Sequence, residues 1–251
     1  MQRKIKTYLS KLTPQSILGD ISHLVSLERL GHKISSRILW RVETSEPVAA
    51  LTFDDGPHPS STHLILETLA QHDVAATFFL VGSKVESHTD LALQIVRAGH
   101  EIGNHSFSHS ILSLLSMKRM RREIGRTDSL LRNLDKAHPK YFRPPVGLFS
   151  RRLLDTAAEF GYTSVIGNVY PRDPQSLDKE KIIKRVIDRT EPGSIIILHD
   201  GGNSLRADRS QTVDSVKEII PRLKEKGFTF LTLSEMIQST EIQTDKSPMP
   251  T

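Results

Sequence analysis

The residues able to do chemistry in this chain sit in short, separated clusters. The stretch LTFDDGPHP sets Asp54 beside Asp55 at the end of an apolar run, and NHSFSH carries His105 and His109 four positions apart. That spacing brings two imidazoles to one side of a helix or a turn. Two imidazoles and one carboxylate make a three-ligand divalent-metal site with a position left for water, a donor set that suits zinc. One aspartate of the pair can then ligate the ion. The other, kept ionised by the nearby cation, can accept a proton from water. A lone Asp-Gly turn is explained by local capping, and a lone His pair by solvated side chains. The combination points instead to a metal centre.

Two further clusters complete a hydrolytic set. In FRPPVG, Arg143 can hold a carboxylate bidentately, and the rigid turn after it can present the Val146 N–H, or a neighbouring one, to a developing oxyanion. In PGSIIILHDGG a hydrophobic run ends on His199-Asp200. Hydrolysis of an amide needs a proton for the departing amine, and a histidine at such a place can supply it.

These clusters have to be held by strands. Short apolar runs at 48–53, 75–81, 100–104, 141–143, 163–167, 194–198 and 228–232 read as strands. Helix candidates lie near 60–72, 89–98, 116–134, 150–160, 179–189 and 211–226, with Ser150 and Asp178 as caps and Gly99 and Gly227 as stops. Buried strands alternating with helices predict an α/β fold with a parallel sheet, and seven units suggest a barrel or near-barrel more than an open, doubly wound sheet, though the pattern alone does not decide between them. Asp54, Asp55, His105, His109, Arg143, Asp173 and His199 all then fall at or just beyond strand ends, where such folds gather their active sites. Residues 1–45 read as an N-terminal helical extension, 46–238 as the catalytic domain, and 239–251 as a disordered tail.

Bulk composition narrows the functional classes. The 251 residues are 37% hydrophobic and 25% charged, which is ordinary for a globular protein. With no cysteine, disulfides and thiolate metal sites are excluded, so any metal must rest on His, Asp or Glu. The formal charge of +5 is scattered, with no interleaving of basic and aromatic residues, and nucleic acid is not an expected partner. The basic start carries no apolar signal region, and no segment has the length of a membrane span. Membrane association is not expected, and the chain reads as cytoplasmic unless a start lies upstream.

TFDDGP, HSFSH, RPPVG and ILHD, in this order, resemble the motifs of the polysaccharide deacetylases, carbohydrate esterase family four or the NodB-homology domain. ATFFLVG (76–82), Arg209 with Thr212, and IIPRLKEKGFTFLTLSEM (219–236) are similar to further family segments, so the resemblance covers about residues 46–236. It implies a distorted (β/α)7-type barrel of parallel strands holding a divalent metal on Asp55, His105 and His109. The ion is usually zinc, with cobalt or another divalent ion as the alternative. It also implies Asp54 as general base, His199 as general acid, Arg143 orienting Asp54, Asp173 orienting His199, and the Val146 N–H at the oxyanion. Pro144, Tyr170, Ile197 and Leu198 would line the substrate site.

The substrate implied is an N-acetylated, or O-acetylated, carbohydrate such as an N-acetylglucosamine oligo- or polysaccharide, with acetate released. Alternatives are hydrolysis of a small non-sugar amide on the same fold, or a metal- or glycan-binding pseudoenzyme. Four positions depart from the family pattern. Tyr170 and Pro174 stand where the fourth motif has an Asp and a Trp, Val146 stands where Tyr is frequent, and Ile197 replaces a Leu of the acetyl pocket.

Overall fold

The computed structural model describes residues 37–176, 178–202 and 207–244. Its organising strand is β2 (Val48–Gly56), in which every residue after Val48 is buried. A strand covered on both faces must be apolar on both, and here the period-two alternation sorts the two sides. Leu51 and Phe53 join the outer core against the helices, while Ala50 belongs to a second, inner cluster with Phe79, Tyr141, Val165 and Ile195.

The other strands are β1 (Ile38–Leu39), β3 (Thr77–Leu80), β4 (Glu101–Asn104), β5 (Tyr141–Phe142), β6 (Thr163–Val165), β7 (Ser194–His199) and β8 (Thr229–Phe230). All named pairings are parallel, in the order β1-β6-β5-β4-β3-β2-β7, with β8 added beside the start of β2. Val169, just past β6, bridges to Ile196 of β7, and Arg41, just past β1, bridges to Ser194. These bridges join the ends of the curled sheet into the distorted barrel expected.

Eight helices surround the described sheet: α1 (Thr62–Gln71), α2 (Gly82–Ser87), α3 (Thr89–Arg97), α4 (Met117–Arg132), α5 (Arg151–Glu159), α6 (Lys179–Arg189), α7 (Ser210–Glu225) and α8 (Leu233–Thr244). Ser150 caps α5 by accepting from the Leu153 N–H, and Asp178 caps α6 by accepting from the Lys181 N–H, as the sequence predicts. Leu233 and Met236 of α8 join the inner cluster. No helix among the described residues is long and apolar enough to cross a membrane.

Two expectations at the ends of the chain are corrected. The stretch 37–45, read as the end of a helical extension, instead contains β1, whose Ile38 is buried together with the following Trp40. Residues 1–36 of that extension lie outside the described residues. The tail expected to be disordered from 239 begins as helix, because α8 runs on to Thr244; residues 245–251 lie outside the described residues.

Candidate active site

The carboxyl end of β2 is not a regular strand. Asp54 pairs with Phe79 and Gly56 with Leu80, so Asp55 is the extra residue of a bulge, with φ 70°. On a regular strand two neighbours would point to opposite faces. The bulge re-aims Asp55 while Asp54 keeps the inward direction of Ala50 and Thr52. Close approach also demands Gly56, since a Cβ there would lie 2.2 Å from the Asp200 Oδ2.

Asp55 meets the two histidines. Its Oδ1 lies 2.9 Å from His109 Nε2 and 3.5 Å from His105 Nε2. The donor atoms of the three residues fall within 4.8 Å of one another. His105 Nδ1 donates to the Arg143 carbonyl at 2.8 Å, which leaves the Nε2 lone pair directed at the cluster. The buried Asp55 Oδ1 forms no hydrogen bond of acceptable geometry among the described residues. Burial alone would raise the Asp55 pKa, but His105 and His109 beside it, with His199 further off, hold the carboxyl well below its usual range. A buried, ionised, orphaned oxygen between two imidazoles fits a divalent cation, and the N2O donor set fits zinc.

Asp54 has a different partner. Arg143 Nη1 donates to Asp54 Oδ1 at 2.6 Å and to Thr52 Oγ1 at 2.8 Å. The guanidinium lies 4.0 Å above the Phe79 ring, on the inner layer of the barrel. Both members of the pair are buried, so the aspartate is fixed in place.

His199, at the end of β7, is held by Asp173 from two sides. Asp173 Oδ1 takes the His199 Nδ1 at 3.0 Å, and Oδ2 takes the His199 backbone N–H at 2.9 Å and the Thr212 hydroxyl at 3.0 Å. Burial opposes the imidazolium, yet Asp173, Asp55 and Asp54 outweigh it and raise His199 to about 9. The Tyr170 ring stands edge-on to His199 at 5.9 Å. Burial and the neighbouring Asp173 push the phenol of Tyr170 up, so it stays protonated.

Val146 sits in the turn Pro145–Gly147 at φ 53°, an unusual conformation for a β-branched residue, with 46% of its surface exposed. Pro144 beside it is buried. Asp55, Ser106, His109, Val146 and Arg172 all have positive φ, and all lie in the bulge and the loops that carry the site residues.

The strand alternation corrects one expectation. Ile197 and His199 share the inward face of β7, whereas Leu198 is fully buried in the outer core with Leu51 and Phe53. Its side chain supports the sheet and does not line the site. Sequence reading also passed over Lys84 of α2, whose Nζ donates to the carbonyls of Asp55 and Gly202. A lysine in a short helix gives no signal of that role.

The polysaccharide deacetylase family model matches residues 41–165. A peptidoglycan-N-acetylglucosamine deacetylase of Bacillus cereus is 37% identical over 203 residues, which are 80% of this chain and 93% of that protein. A chitooligosaccharide deacetylase of Sinorhizobium fredii is 34% identical over 206 residues, 79% of this chain and 96% of that protein. Among solved structures, a peptidoglycan N-acetylglucosamine deacetylase superposes with a TM-score of 0.77 at 33% identity, covering 83% of this chain and 96% of the other. A family-four pseudoenzyme of Bacillus anthracis also superposes, with a TM-score of 0.74 at 27% identity, covering 82% of this chain and 70% of that one. Fold likeness therefore does not separate active from inactive members, and the side chains at the strand ends must. Taken together, the ordered motifs, the barrel and these relatives show that the chain belongs to the polysaccharide deacetylase family, carbohydrate esterase family four.

Proposed function

We propose that this protein is a metal-dependent deacetylase that removes N-acetyl groups from an N-acetylglucosamine-containing oligo- or polysaccharide and releases acetate. One observation carries the reading. An aspartate fixed by Arg143 (Asp54) and a protonated histidine (His199) flank a largely enclosed Asp-His-His cluster, which would supply base, acid and ion site in one mouth. The sugar specificity is supported by the relatives, which are named for peptidoglycan and chitooligosaccharide.

Asp55, His105 and His109 would hold the ion, zinc by its donor set. When bound it supplies a Lewis acid for the amide carbonyl and makes the attacking water more acidic. The protein's own groups do the rest. Asp54, aimed by Arg143, takes the proton of the attacking water. The Val146 N–H, presented by a turn that holds a β-branched residue at positive φ, donates to the oxyanion. Asp173 fixes the His199 tautomer so that Nε2 carries the transferable proton, which passes to the departing amine. Ile197 and Tyr170 border the acid and would contact the acetyl group and the sugar.

The test is acetate release from chitooligosaccharides and from peptidoglycan fragments, before and after chelation and on adding zinc back. Release that disappears with chelator and returns with zinc supports the reading. Full zinc occupancy with no acetate from either sugar would overturn it.

A further inference from the structure

The two halves of the mouth come from β2 and β7, and a seam of close backbone contacts joins their ends. Asp54 O accepts from the Asp200 N–H at 3.1 Å and from the Gly201 N–H at 3.3 Å. A Cβ on Gly201 would lie 2.0 Å from Asp55 O, so no side chain fits between the loops. Thr62 Oγ1 donates to Asp200 Oδ2 at 2.5 Å, and Arg209 Nε donates to Gly201 O at 2.6 Å. One side chain from outside both strands bridges the seam. Lys84 Nζ donates to Asp55 O at 2.5 Å and to Gly202 O at 2.6 Å.

We propose that Lys84 is a positioning residue that latches the Asp55 bulge to the loop following His199, and so fixes the ion-holding half of the site against the proton-donating half. Asp55 is the extra residue of the bulge, at positive φ, and its carbonyl has left the β-ladder register. An ammonium group satisfies that carbonyl from α2, and the same group holds the Gly202 carbonyl three residues beyond His199. Lys84 touches neither substrate nor reacting atoms in this scheme. It acts through the orientation of Asp55 and through the distance from Asp55 to His199. The proposal rests on the deacetylase reading for its kinetic arm and on the Asp-His-His cluster alone for its metal arm.

Lys84→Met keeps the alkyl stem and removes the donors, while Lys84→Arg keeps charge and donors. Zinc affinity of the apoprotein is measured by competition with a chromophoric chelator, alongside kcat and KM at saturating zinc. We expect Lys84→Met to lose about tenfold or more in zinc affinity, within the range for groups that orient metal ligands. Its kcat should fall with KM nearly unchanged, and Lys84→Arg should recover most of both. If Lys84→Met does not fold, Lys84→Leu, which also lacks donors, is read the same way.

Wild-type zinc affinity and kcat in a folded variant would overturn the latch. So would a lower melting temperature with zinc affinity unchanged, which would mark a merely structural lysine. If wild-type protein releases no acetate from any sugar, the deacetylase reading fails, and the zinc titration still decides the latch.

Discussion

Two enclosed histidines at opposite ends of the strands, His100 buried and His199 half-buried, show how differently this barrel treats its floor and its mouth. His100 precedes β4 at the floor, where its Nδ1 accepts from the Ala76 N–H at 3.3 Å and its ring lies 5.4 Å from that of Phe78. Burial pushes it down to about 4, so it is neutral. His199 is also largely enclosed, yet Asp173 and the aspartates of β2 raise it to about 9. Burial is shared, so it cannot be the cause of opposite charge states. The difference is the carboxylates of Asp173, Asp55 and Asp54, which act on His199 and have no counterpart acting on His100.

The largest expected effect separates the two histidines by function. His199→Gln should lower kcat by about 10²–10⁴-fold, the usual loss for a general acid, with zinc still bound. His100→Phe should leave kcat unchanged, and a large loss there would break the contrast.

Next comes the buried pair beneath the mouth. Arg143→Met leaves Asp54 charged and alone in the barrel interior, which should destabilise the fold by about 3–5 kcal/mol in a denaturant titration. Asp54→Asn leaves the guanidinium without its counter-charge and should also cost stability. In the double variant Arg143→Met with Asp54→Asn both charges are gone, and much of the stability should return.

A smaller effect reads both histidines at once in the metal-free protein. Between about 4 and 6.5 the unfolded chain protonates His100 and the folded chain does not, so stability rises with pH there. Between 6.5 and about 9 the folded chain keeps the His199 proton that the unfolded chain has lost. That contribution is complete below 6.5 and disappears as pH rises through about 9. Melting temperature against pH should therefore lose its acid-side slope in His100→Phe and its alkaline-side slope in His199→Gln. The opposite assignment would contradict the account.

The smallest effect concerns strain. Val146→Gly keeps the backbone N–H and relieves the positive φ, so it should stabilise by up to about 1 kcal/mol in thermal unfolding while deacetylation continues. Loss of activity there would give the valine side chain a role that its backbone position does not require.

Much of this mouth was legible because its residues terminate strands. LTFDD, HEIGN, YFR and SIIILH each end an apolar run on a polar group, and the structure brings those groups together. Ser150 and Asp178 were legible as caps because their side chains act on backbone three residues away. Features set by tertiary contact were not. Two residues, Ile38 and Leu39, show no period, and their strand exists only because β6 offers an edge. Short α2 follows a strand directly, without a capping side chain. The bulge at Asp55 depends on the register of β3, which no local pattern records. The inward or outward face of Leu198 depends on the same kind of register.

The most direct test of the central claim sets wild-type protein beside Asp54→Asn, each loaded with one zinc per chain, on an N-acetylglucosamine oligomer. Acetate is expected from the wild type alone, with zinc bound equally by both. Equal acetate release by the two proteins, or none from the zinc-loaded wild type, would contradict it.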